Sequence, residues 1–184
     1  MSKISKNMQG IFSIFIRYVL LVIVAYPSFW LFYFIFTPLT VYPVYFLLNI
    51  FFDSSLMNNV ILVGECPMEI IRACIAGSAY YLLLIFNLSI PNIKFPKRIK
   101  MILLAFASFL IINILRIFLL SIIYLEKSSW FDITHKLFWY LGSIVFVIGI
   151  WFAEVKLFKI KEIPFYSDIR NLFNLVYKKS NLKK

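Results

Sequence analysis

The chain has 184 residues, is 62% hydrophobic and has a mean hydropathy of +0.90. Soluble domains average about 45–50% apolar residues, so this composition excludes an ordinary soluble globular domain. The net charge of +11 is concentrated beside apolar runs, which assigns it to anionic lipid headgroups rather than to nucleic acid.

Several runs reach the roughly 20 residues needed to cross a bilayer core. Lipid leaves an open sheet edge unsatisfied, so Phe-, Ile- and Leu-rich spans read as helices. The alternating segments of a membrane barrel are absent. The expected fold class is an all-α integral membrane protein: a polytopic bundle of four transmembrane helices forming one domain over 1–184.

Residues 1–10 are a polar lead, and 11–36 are apolar except for Arg17. The sequence predicts a first span here, retained rather than cleaved as a signal peptide. Arg17 snorkels near its inner end and Pro27 kinks it. Residues 38–52 are apolar but short and contain Pro38 and Pro43. They read as an outer interfacial or re-entrant helix, the alternative being a fifth span with the N-terminus outside. Between 53 and 73, Val60–Val63 and Met68–Ile71 flank Gly64-Glu65-Cys66-Pro67, a pattern for a small outer β-hairpin.

Residues 74–88 form an inward span and 99–124 an outward span containing Asn113 and Arg116. Residues 125–134 form an outer loop, with Trp130 as a headgroup anchor and Asp132 or Thr134 as the next helix cap. The last span is 135–158, where Gly142 and Gly149 allow close helix packing. Phe165, Ile169, Leu172, Phe173 and Val176 repeat at helical spacing, predicting an amphipathic inner-surface helix over 162–177. Lys94, Lys97, Arg98 and Lys100 crowd one loop, and eight further Lys or Arg lie from Lys156 onward. Positive charge marks the cytoplasmic side, so that loop and both termini are placed in the cytoplasm.

The two cysteines, Cys66 and Cys74, form no Cys-x-x-Cys motif, and His135 is the single histidine. No metal-ligand set follows from these, and no cofactor is implied. Cys74 opens an inward span, His135 opens another, and Arg116 lies about eight residues, or roughly 12 Å at 1.5 Å per residue, before the outer end of a third. With these orientations the three groups converge at the outer leaflet. A thiol reacts as the thiolate, which a nearby cation favours. Histidine moves protons near neutral pH, and arginine can donate two hydrogen bonds to an oxyanion. Together these are the parts of a cysteine peptidase or transpeptidase. Asn113 shares a helix face with Arg116 and could orient it or a substrate carbonyl.

Each group also has an ordinary reading. A lone cysteine in a span is more often a small hydrophobe, and a histidine at a helix start is more often interfacial. An intramembrane arginine is costly enough that a functional or paired role is the default; Glu154 is its bland partner. One alternative is thus a non-catalytic assembly or transport subunit with a structural Arg116. Another is a thiol redox protein using Cys66 and Cys74, which could also pair as a disulfide.

Ala73-Cys74-Ile75-Ala76-Gly77-Ser78 resembles the Ala-Cys-x-Gly segment of the exosortase/archaeosortase family, with two residues here between Cys74 and Gly77. Asn113-Ile114-Leu115-Arg116 is similar to its Asn-x-x-Arg segment, and His135 with the following Gly142 to its third motif. Pro38 to Phe51 resembles the helix before the cysteine motif, and the likeness covers roughly residues 38–155. Cys-Ile-Ala-Gly-Ser-Ala-Tyr-Tyr is similar to the small pacearchaeosortase branch. The resemblance implies cleavage of secreted proteins at a C-terminal tripartite signal: a short motif, a hydrophobic helix and a basic cluster. It implies transfer of the new carboxyl end to a lipid acceptor, with Cys74 as nucleophile, Arg116 at the oxyanion and His135 as acid and base.

Overall fold

The computed structural model describes residues 3–26, 29–91 and 93–160. Pro27 and the tail helix expected at 162–177 lie outside the described residues. The chain is mostly helical, with one small three-stranded sheet. Among the described residues, three helices are long and apolar enough to cross a membrane: α2 (Trp30–Phe51), α5 (Phe95–Leu125) and Phe131–Leu157. The last consists of α6 (Phe131–Leu137), a π-helical turn (Phe138–Gly142) and α7 (Ser143–Leu157). A shorter apolar stretch, Arg72–Leu88, is split into the single turn α3 (Arg72–Ile75) and α4 (Gly77–Leu88). An N-terminal helix α1 covers Lys3–Ala25.

The core follows from the stripe on α5. Met101, Ala105, Phe109, Asn113 and Ile117 recur every four residues and are buried, which places them on one helix face. They pack against α2 and α4. Tyr80 of α4 sits at the centre, its ring 3.6 Å from that of Phe36 and edge-on to Phe106 and Phe109 at 5.6 and 4.9 Å. The opposite faces stay apolar and exposed, including Leu103, Ile111, Leu115 and Leu119 on α5 and Ile144, Val145 and Phe152 on α7. Apolar surface on this scale is unfavourable in water.

The N-terminal boundary differs from the expected one. Residues 38–52 are not a separate interfacial or re-entrant piece; all but Phe52 belong to one continuous helix, α2, with Pro38 and Pro43 inside it. The break falls earlier, where Phe29 takes a left-handed conformation at φ 60°. Proline removes a backbone donor and crowds the preceding turn, but apolar helices tolerate it where neighbouring groups compensate. Helix α1 docks on α4: Arg17 donates to the carbonyls of Leu88 and Ile90 at 2.9 and 3.2 Å, and Tyr81 donates to the Leu21 carbonyl at 3.1 Å.

Arg98 donates to the carbonyls of Asn87, Leu88 and Ile90 at 2.6, 3.0 and 2.7 Å. Those oxygens lie at the C-terminal end of α4, where helical partners run out. Lys97 donates to the Phe158 carbonyl at 2.9 Å just past α7. The end of α4, the start of α5 and the end of α7 therefore share one basic end of the bundle. The sheet, α3 and the start of α6 lie at the other.

That sheet is larger than the expected hairpin. Strands β1 (Ser54–Met57), β2 (Val60–Val63) and β3 (Cys66–Glu69) form an antiparallel meander. The β2–β3 pair turns at Gly64-Glu65, with Gly64 at φ 57°, and Cys66 and Pro67 are strand residues. Ile61 and Val63 alternate inward to the core, while Pro67 stands on an outer strand where a lost donor is tolerated. The expected caps Asp132 and Thr134 are not used: α6 begins after Trp130 without a side-chain cap, and Asp132 falls in its first turn. Among the described residues, no other helix packs closely on Gly142 or Gly149. A Cβ on Gly142 would meet Phe138 of the same chain segment at 3.0 Å, and one on Gly149 meets nothing within 4 Å among the described residues.

Gly77 is where close approach matters. A Cβ there would lie 2.9 Å from Cζ of Tyr33, whose ring also carries the Arg72 guanidinium at 5.6 Å from its centroid. Gly77→Ala is expected to destabilise the chain by about 1–3 kcal/mol, as overpacking does. Tyr33→Leu in the same chain should recover most of that loss, read as the midpoint of thermal unfolding in detergent.

Candidate active site

The thiol is presented by a broken helix rather than by the start of a continuous one. Arg72–Ile75 make a single turn, Ala76 adopts the left-handed conformation at φ 57° and ψ 47°, and α4 restarts at Gly77. A left-handed alanine costs about 1–2 kcal/mol, and strain of this sort gathers at functional positions. The turn is pinned from α5, where Asn113 Nδ2 donates to the Cys74 carbonyl at 2.9 Å. Asn113 is itself buried, and its Oδ1 has no partner among the described residues.

Cys74, Arg116 and His135 come together. All three line a cavity of about 280 Å3 whose wall also includes Pro67, Met68 and Glu69 of β3. All three also line an adjoining cavity of about 100 Å3, with Ala73 and Trp139. Arg116 is 7% exposed, and its guanidinium lies within electrostatic range of the Cys74 thiol. Its Nη1 donates to Ser143 Oγ at 3.1 Å, and its buried Nε has no partner among the described residues. The His135 ring lies flat against Phe131, with centroids 5.5 Å apart and planes 7° apart. Phe131 in turn packs on Tyr124 of α5 at 5.1 Å. No hydrogen bond joins thiol and imidazole among the described residues; they share the cavity walls.

The competing pairings fall elsewhere. Glu154 accepts from Asn87 Nδ2 at 3.0 Å, not from Arg116. Cys66 and Cys74 are both free thiols, and Cys66 lines a different cleft with Tyr124, Lys127 and Asp132.

Sequence reasoning missed three supports. Phe131 stands four residues before His135, a helical spacing that could have flagged the stacked pair. Ser143 lies 27 residues from Arg116 and carries no local signal. The roof from β3 depends on how the sheet folds back, which spacing does not encode. The π-helical turn at Phe138–Gly142 lies between His135 and Ser143; such turns change a helix's facing and recur near functional groups.

Comparison of the chain with protein-family models, curated proteins and solved structures finds no match. The geometry of the thiol cavity therefore carries the functional reading by itself.

Proposed function

We propose that the chain is an integral membrane protein whose thiol cavity is the active site of a cysteine peptidase or transpeptidase, similar in kind to the exosortase/archaeosortase family. The observation that carries this is the meeting of Cys74, Arg116 and His135, from three separate apolar segments, on one cavity wall. Four spans would then be α2, α3–α4, α5 and Phe131–Leu157, with α1 beside the inner end of α4. Lys97, Arg98 and Lys100 favour the cytoplasm for the basic end, which turns the cavity outward. Trp130, largely exposed, suits the outer headgroup level.

In this mechanism His135 accepts the thiol proton as the Cys74 sulfur attacks the scissile carbonyl carbon. Arg116, on the cavity wall, donates to the oxyanion through its guanidinium. The intermediate collapses with cleavage of the C–N bond, and the amine leaves with the proton from His135. The acyl group remains as a thioester on Cys74. A hydroxyl or amine of a lipid acceptor then attacks, His135 takes its proton, and the thiolate leaves and is reprotonated. Asn113 holds the Cys74 turn in place. Substrates would be secreted proteins ending in a motif, an apolar helix and a basic cluster.

The test is co-expression with secreted reporters bearing such tails from the source genome. Intact-mass measurement should find the reporter shortened and, for a transpeptidase, carrying lipid. Reporters that keep their full tail beside the wild-type chain would overturn the proposal.

A further inference from the structure

A second opening lies on the flank of the bundle, away from the thiol cavity. It is a groove of about 450 Å3 between α5 and α7. Leu104, Ser108 and Ile112 of α5 line one side, and Val145, Gly149 and Ala153 of α7 line the other. Each set repeats every four residues and so forms a row along its helix. The floor is small and, among the described residues, open: a Cβ on Gly149 would meet none of their atoms within 4 Å.

The groove ends on Glu154, which is 1% exposed. One carboxylate oxygen accepts from Asn87; the other, Oε1, is buried and has no partner among the described residues. A buried acceptor left without a donor loses its hydration without recompense, and an ionisable group in an apolar span is by default functional.

We propose that this groove seats an apolar transmembrane helix of a partner protein, whose lysine or arginine donates to Glu154. A floor of Ser, Gly and Ala lets a third backbone approach two others closely. An acyl chain would fill the same space but bring no donor to Oε1. Glu154 lies one turn before the end of α7 at Leu157, so a basic side chain there can keep its stem in the groove. The inference stands whether or not Cys74 is a nucleophile.

The test uses the full chain in phosphatidylcholine–phosphatidylglycerol vesicles with two synthetic apolar helices. They differ in one residue near the cytoplasmic end, lysine or leucine. Binding is read by energy transfer, and contact by a photocrosslinker at Val145, with Leu119 as the control position. The lysine helix should bind at least tenfold tighter than the leucine helix, and should crosslink from Val145 only. Glu154→Gln should remove the difference while keeping an acceptor for Asn87. Gly149→Leu should weaken both helices about tenfold, and a Cβ at that position meets nothing within 4 Å among the described residues. Equal binding of the two helices overturns the proposal. So do crosslinks from Val145 that reach only lipid, a second copy of the chain, or its own residues 161–184.

Discussion

Replacing Cys74 by alanine should abolish processing, a loss on the order of 10^6-fold if sulfur is the nucleophile. Cys74→Ser should fare little better, because the hydroxyl is far harder to ionise than the thiol at neutral pH. Neither change should unfold the chain. The side chain is half-buried at a cavity wall, and the contact that fixes its turn uses the Cys74 backbone carbonyl, not its sulfur. Cys66→Ala should leave processing intact, since that thiol lines another cleft. Acid quenching of the wild-type chain with a reporter tail should capture a conjugate on Cys74 that hydroxylamine releases. If Cys66→Ala proves as damaging as Cys74→Ala, the two thiols act together and the redox alternative takes the place of acyl transfer.

The parts of the fold that could be read in advance are those fixed by period and length. The span expected at 99–124 is found as Phe95–Leu125, because a four-residue stripe and an uninterrupted apolar run leave no other solution. The span expected at 135–158 likewise forms, begun one turn earlier at Phe131. The N-terminal third was misread because Pro38 and Pro43 looked like stops, whereas both lie inside α2 and the chain turns at Phe29. The three cavity residues Cys74, Arg116 and His135 were legible by type, since each is a costly or reactive group in an apolar run. Their support was not. Ala76 carries the left-handed turn although glycine, the usual residue for it, stands one place later. The Asn113 contact reaches a backbone carbonyl 39 residues away. Distant backbone partners leave no spacing to recognise. Asn113 was expected to orient Arg116 or a substrate carbonyl; the contact its amide makes is to the carbonyl of Cys74.

Arg116 is where stability and chemistry can be separated. Arg116→Gln keeps a neutral hydrogen-bond donor, though one too short to reach Ser143, and removes the charge in the thiol cavity. Turnover should fall about 10^2–10^3-fold, the usual cost of losing one oxyanion donor. Alkylation of Cys74 by a small neutral reagent should slow by roughly a few-fold, because a nearby cation promotes thiol reactivity. Cys66, which lines a different cleft from Arg116, provides the internal control in the same mass spectrum. Arg116→Lys keeps the charge but loses the planar fork, so it should recover the alkylation rate more than the turnover. A purely structural arginine predicts the reverse. Abundance and thermal stability would drop in Arg116→Gln, and the reactivity of Cys74 in the surviving protein would not change. The split between thiol reactivity and fold is therefore the decisive readout. It can be measured without knowing the substrate, since it asks only whether the guanidinium acts on the sulfur it sits beside.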